Sequence, residues 1–157
     1  MPAFALPPDL VFNRGRVEDP AALVRENRAR SWLLLTGEEF TAMGGLSYPQ
    51  VRAVIDTTAN IPSDPPRVLD LDFARKHVAA LDALPRPTIV TCRMGPRSSA
   101  AAYMYAGLRS GASPDEVIAE AERQAAPFTT SAECVAWVRA SIESLRAEEG
   151  PAGSAGA

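Results

Sequence analysis

Along the first two thirds of the chain short apolar runs alternate with stretches of helical periodicity, and helical periodicity alone fills the remainder. Leu10, Val11 and Phe12 form a short strand candidate. Asp19 then stands where it would cap a helix over 20–30, with Pro20 suited to the first turn. The run Ser31, Trp32, Leu33, Leu34, Leu35 does not alternate and is closed by Gly37, which predicts a strand covered on both faces. A short helix over 38–43, ended by Gly44 and Gly45, follows. Segment 50–58 is rich in β-branched residues, with Val51, Ala53 and Ile55 alternating, and predicts a third strand. The proline-studded loop NIPSDPPRVLD leads to Asp70 or Asp72 as the cap of a helix over 73–84, where Ala74, Val78, Leu81 and Leu84 recur at helical spacing. Pro85 and Pro87 stop that helix before a fourth strand over 88–91.

Beyond this strand Ala101, Met104, Tyr105 and Leu108 share one helical face until Gly111. Ser113, Pro114 and Glu116 form a capping box that opens a helix to about residue 125. The stretch Thr130, Ser131, Ala132, Glu133 opens a last helix with the stripe Val135, Val138, Ile142, Leu145. Strands alternating with helices, then helices alone, predict one α/β domain over 1–147 with a central, mostly parallel four-stranded sheet flanked by helices. Ligands of such sheets lie at the carboxyl ends of the strands. The stretch 148–157, EEGPAGSAGA, has no apolar residue large enough to anchor it and is expected to be a disordered tail.

At 157 residues and 46% hydrophobic content the chain suits a single globular core. A net charge of -3 with scattered arginines argues against nucleic acid as a partner. The start, MPAFALPPDLVF, lacks a basic region and is interrupted by prolines, and the strongly apolar run Trp32 to Leu35 is too short to span a bilayer. The expectation is a cytoplasmic protein with no membrane partner. Two cysteines and the single histidine, His77, are too few for a disulfide framework or a zinc site, so neither metal nor cofactor is expected.

The chemistry concentrates in TCRMGPRSSA, residues 91–100, directly after the fourth strand. A cysteine at a strand end, followed by a turn and a helix beginning near Arg97 or Ser98, faces converging backbone N–H groups and the positive end of a helix dipole. That field, with Arg97 and Arg93 adding full charges, favours a thiolate on Cys92 beside a pocket for a tetrahedral oxyanion. Arginine brings a planar fork of donors to phosphate or sulfate oxygens. Gly95 permits the tight turn, and Ser98 or Ser99 is placed to hydrogen-bond the sulfur. Arg93, Met94, Gly95, Pro96 and Ser99 complete the substrate-binding loop. The competing reading makes Cys92 a small buried hydrophobe and the arginines solvated.

The loop CRMGPRSS resembles that of cysteine-dependent phosphatases with the tyrosine/dual-specificity phosphatase fold. Within them it resembles the small bacterial beta-lactamase-hydrolase-like phosphatase family, also described as a sulfur transferase family. The likeness extends loosely to FNRGRVEDPAAL, SWLLLTG, the IPSDPP loop and GLRSGASPDEVIAEAE. It implies attack of Cys92 on phosphorus, a cysteinyl-phosphate held by Arg97 and the loop amides, and help from Ser98 in turnover. It also implies a general-acid aspartate on an upstream loop, for which Asp64 in PSDPP is the candidate; the alternative is a turn residue between prolines.

Tyrosine phosphatases usually carry histidine before the cysteine and five residues between cysteine and arginine. Here Thr91 precedes Cys92 and only Arg93, Met94, Gly95 and Pro96 intervene. A six-residue loop C-R-x-G-x-R also resembles that of the rhodaneses, which carry a persulfide on the cysteine, although SWLLLTGEE and GASPDEVIAEAE depart from the rhodanese surroundings. Three readings follow. The first is a phosphatase acting on a phosphoprotein or a small phosphate ester, and the second is a sulfurtransferase fed by a sulfur donor. The third is a catalytically silent anion-binding module.

Other candidates carry plainer readings. His77 is expected to be structural or exposed, and Cys134 to pack at a semi-buried edge, with a redox partnership to Cys92 as the alternative. Trp32, Trp137, Tyr103 and Tyr105 are expected in or beside the core, and Glu116, Glu120 and Arg123 on a solvated helix face.

Overall fold

A computed structural model describes residues 4–63 and 69–150. Four strands, β1 (Leu10–Phe12), β2 (Ser31–Leu34), β3 (Thr57–Asn60) and β4 (Thr88–Thr91), form one sheet in the order β1-β4-β2-β3, with every pairing parallel. The described helices are α1 (Pro20–Asn27), α2 (Glu38–Ala42), α3 (Tyr48–Arg52), α4 (Leu71–Ala83), α5 (Pro96–Ser110), α6 (Pro114–Arg123) and α7 (Ala132–Glu149), with a 3-10 turn at Pro127–Thr130. The predicted architecture is therefore the observed one, and β4, which ends one residue before Cys92, lies between β1 and β2.

The unbroken apolar run of β2 has the expected cause. Leu33 points into the core built with α4, α5, α6 and α7, whereas Trp32 and Leu34 point to the opposite face with Leu23 and Val24 of α1 and Val51 of α3. Each of the four β2 residues is buried.

Helix α5 departs from the single-face expectation. Every residue from Ser98 to Leu108 is buried, because the helix is enclosed by the sheet on one side and by α4, α6 and α7 on the others. Small residues make that enclosure possible: a Cβ on Gly107 would stand 2.5 Å from Val117 Cγ2.

Segment 50–58 is not one strand. Its first residues belong to α3, and β3 begins at Thr57. Local capping chemistry overrides the alternation: the Ser47 side chain accepts the Gln50 N–H at 3.3 Å, and the Gln50 side chain accepts the Ser47 N–H at 2.8 Å, a reciprocal capping box.

Helix ends are corrected by the same kind of chemistry. Asp70 caps α4 by accepting from Phe73 N–H, while Asp72 lies in the first turn. Within the stretch expected to open α7, Ser131 is the cap, accepting from Cys134 N–H at 3.2 Å. Helix α7 runs through Glu149, beyond the expected tail boundary, because Glu148 pairs with Arg75 at 2.5 Å and Glu149 with Arg109 at 3.0 Å. The rest of the expected tail lies outside the described residues. Among the described residues no helix is long and apolar enough to cross a membrane.

Candidate active site

Cys92 follows the last residue of β4, and Gly95 is the N-cap of α5 with Pro96 in the first turn. The Gly95 N–H donates to Cys92 Sγ at 3.1 Å and the Ser98 N–H does so at 3.4 Å. The thiol in turn donates to Ser98 Oγ at 3.5 Å. Sulfur thus stands at the amino end of a fifteen-residue buried helix, with two backbone donors already aimed at it. Gly95 is required twice over. Its φ of 121° suits glycine, and a Cβ there would stand 2.4 Å from the Asn13 carbonyl oxygen.

The two serines separate in role. Ser98 faces the sulfur, whereas Ser99 Oγ donates to the Gly95 carbonyl at 2.7 Å and accepts from Phe128 N–H at 3.1 Å. Ser99 therefore fastens the 3-10 turn to the loop and shapes it from behind. Thr91, in place of the usual histidine, accepts a 2.9 Å bond from the Trp32 indole N–H, which fixes the residue before the cysteine to β2.

The two arginines also diverge. Arg97 Nη1 donates to the Ser63 carbonyl at 2.5 Å and to Ser63 Oγ at 2.9 Å, while Ser63 is itself held to the Leu35 carbonyl. Arg93 turns sideways, with its guanidinium 5.2 Å from the Phe40 ring centroid and 3.7 Å from Glu39. It forms a wall with α2. Met94 is exposed at the rim. Asp64, the candidate acid, lies outside the described residues, directly after Ser63.

Asn13 was not singled out by the sequence, yet it organises the site. Nine-tenths buried after β1, its Oδ1 accepts the Cys92 N–H at 3.1 Å and the Ser98 hydroxyl at 2.7 Å. Its Nδ2 donates to the Cys92 carbonyl at 2.9 Å and to Gly15 at 2.8 Å. One amide thus grips the cysteine backbone on both sides and orients the serine nearest the sulfur. The local sequence Asn-Arg-Gly signals only a turn.

The remaining candidates fall outside the loop. His77 is buried, with Nδ1 2.7 Å from the Phe73 carbonyl, and burial pushes its pKa down to about 4. Its neighbours are the rings of Phe73 and Trp137, so its role is structural. Cys92 and Cys134 are both buried. Trp32, Trp137, Tyr103 and Tyr105 are core residues as expected. Among the described residues no group of three or more His, Cys, Asp or Glu side chains could hold a metal ion.

No protein-family model matches the chain, and no curated protein matches its sequence. Solved structures do match its fold. PTPMT1 in complex with PI(5)P superposes with a TM-score of 0.66 at 14% identity, covering 89% of this chain and 95% of that one. TpbA of P. aeruginosa in complex with pTyr gives 0.58 at 17% identity, covering 95% and 96%. The core catalytic domain of the S. cerevisiae PP-IP phosphatase SIW14, in complex with citrate, gives 0.60 at 12% identity, covering 94% and 91%. A parallel sheet ordered β1-β4-β2-β3, with a cysteine loop leading from β4 into a buried helix, is therefore the fold of the protein-tyrosine-phosphatase-like cysteine phosphatases.

Proposed function

We propose that the protein is a cysteine-dependent phosphomonoesterase. The observation that carries this reading is the sulfur of Cys92 held by the Gly95 and Ser98 N–H groups at the head of α5, with Arg97 anchored alongside. The phosphorylated ligands of similar folds, pTyr with TpbA and PI(5)P with PTPMT1, support a phosphorylated substrate here.

The Cys92 thiolate attacks phosphorus, forming an S–P bond as the bond to the leaving oxygen breaks. Asp64 gives its carboxyl proton to that oxygen, and the alcohol departs. Loop N–H groups and the Arg97 fork hold the equatorial oxygens as charge spreads over them. Water then attacks phosphorus and gives a proton to the Asp64 carboxylate. The S–P electron pair returns to sulfur, where Ser98 donates a hydrogen bond to the departing thiolate, and inorganic phosphate leaves.

Hydrolysis of p-nitrophenyl phosphate by wild type, Cys92→Ser and Asp64→Asn tests the reading. Phosphate release is expected from wild type and none from Cys92→Ser. Asp64→Asn should lower kcat about 100-fold or more, the usual scale of general acid catalysis. A persulfide on Cys92 with sulfur transfer to an acceptor, and no phosphate release, would overturn it.

A further inference from the structure

A pocket of about 890 Å³ opens at the carboxyl ends of β2 and β3, lined by Thr36, Glu38, Glu39, Tyr48, Asn60 and Pro62 among others. It adjoins the cysteine loop on two sides. Glu39 meets Arg93 at 3.7 Å, and Pro62 precedes Ser63, the residue that holds Arg97. The sheet register points the same way: Leu34 pairs with Thr91 and the Leu35 N–H donates to the Thr91 carbonyl, so Thr36 leaves β2 beside the loop that leaves β4. An ester whose phosphoryl group sits over Cys92 has this pocket next to its alcohol portion.

The lining carries two carboxylates, Glu38 and Glu39, in the first turn of α2, and no basic side chain among the described residues. Glu39 faces Arg93 and thereby offsets the positive charge nearest the pocket, while Glu38 makes no ion pair among the described residues. A second phosphate or a carboxylate on the substrate would meet like charge there. The walls otherwise suit hydroxyl groups. Thr36 is 1% exposed and forms the floor of the pocket at the end of β2. The acceptors open to the pocket are the exposed carboxylates of Glu38 and Glu39, which take charge-assisted hydrogen bonds from ligand hydroxyls. Asn60 spends its Nδ2 on the Leu34 and Thr36 carbonyls, which holds its amide at the rim of that wall. Tyr48, whose hydroxyl is tied to Thr58, contributes an oriented ring suited to the C–H face of a polyol.

We propose that this pocket binds the alcohol portion of the substrate, and that this portion is a small sugar-type polyol bearing no further anionic group. The inference rests on the phosphatase reading and narrows its substrate class to sugar-like monophosphates, as distinct from polyphosphates or acidic peptides.

Calorimetric titration of Cys92→Ser with inorganic phosphate, glucose 6-phosphate and fructose 1,6-bisphosphate separates the two levels. Glucose 6-phosphate is expected to bind about tenfold or more tightly than inorganic phosphate, the scale of one or two added hydrogen bonds, and more tightly than the bisphosphate. Adding Glu38→Ala should remove most of that advantage, and adding Glu38→Lys should shift preference toward the bisphosphate. Equal affinity for phosphate and glucose 6-phosphate, or a preference of Cys92→Ser for the bisphosphate, would overturn the inference and leave the phosphatase reading standing. Failure of inorganic phosphate to bind would overturn both.

Discussion

Replacing Asn13 by alanine removes four hydrogen bonds at once: two from Oδ1, to the Cys92 N–H and the Ser98 hydroxyl, and two from Nδ2, to the Cys92 and Gly15 carbonyls. Ser98 retains the Gly95 carbonyl as an alternative acceptor at 3.2 Å, and Gly15 lies toward solvent, so the main cost falls on the buried Cys92 backbone. Two such groups left without partners cost about 1–3 kcal/mol each, and partial entry of water places the total near ~3 kcal/mol. For a domain of this size that lowers Tm by roughly 10 °C. Loss of stability alone does not separate a positioning residue from a merely structural one. The control is Ile142→Ala, which creates a cavity in the core between α5 and α7 at a cost of about 2–5 kcal/mol. Both proteins are assayed with p-nitrophenyl phosphate well below their melting temperatures, with folded fractions measured by circular dichroism. Asn13→Ala should lose about tenfold or more in kcat with KM little changed, because the sulfur and the serine beside it lose their alignment. Ile142→Ala should retain kcat within about twofold, since its side chain faces Gly107, well along α5 from the loop. Equal kcat losses per folded molecule would refute the assignment of Asn13 as a positioning residue.

Gly95→Ala forces a side chain into φ 121° and within 2.4 Å of the Asn13 carbonyl, so a loss of several kcal/mol is expected by chemical denaturation, and near-wild-type stability would contradict the loop geometry. His77 is held near pKa 4 against 6.5 for a free histidine, so the unfolded chain takes up its proton first as pH falls. Its contribution is full above pH 6.5 and is progressively lost toward pH 4. Between pH 7 and pH 5 wild type should lose about 2 kcal/mol more than His77→Gln, read from urea midpoints, and parallel pH profiles would exclude that origin. Trp32→Phe deletes the bond to Thr91 and leaves that hydroxyl unsatisfied in the core, with an expected cost of about 1–3 kcal/mol by urea denaturation and no shift if the bond is without weight.

The parts of the site written contiguously were legible. Strand, cysteine, glycine turn and helix stand side by side in 88–110, and their chemistry is local, so the cradle was foreseeable from residue types alone. Asn13 was not, because its partners Cys92 and Ser98 lie 79 and 85 residues away and nothing in its own neighbourhood encodes them. Which of Ser98 and Ser99 meets the sulfur was likewise open from residue types alone. One residue of helical rotation sends one hydroxyl to the sulfur and the other to Phe128 N–H. Segment 50–58 misled for the opposite reason: its alternation was visible, but the reciprocal bond between Ser47 and Gln50 closes a helix before the strand can begin. The complete enclosure of α5 depends on how α4, α6 and α7 surround it, which no periodicity within the helix reveals.

The two halves of this site differ in how freely evolution can rewrite them. Helix α5 runs through the centre of the core, where Gly107 has no room for a methyl group and eleven consecutive residues are buried, so change there endangers folding itself. Much of the facing wall is built from α2 and α3, five residues each and open to solvent apart from Phe40 and Val51, where substitutions at the exposed positions cost little stability. On the proposed reading, a lineage descended from this protein is free to exchange the molecules it accepts by drifting along that outer wall, while the reagent behind it stays constant.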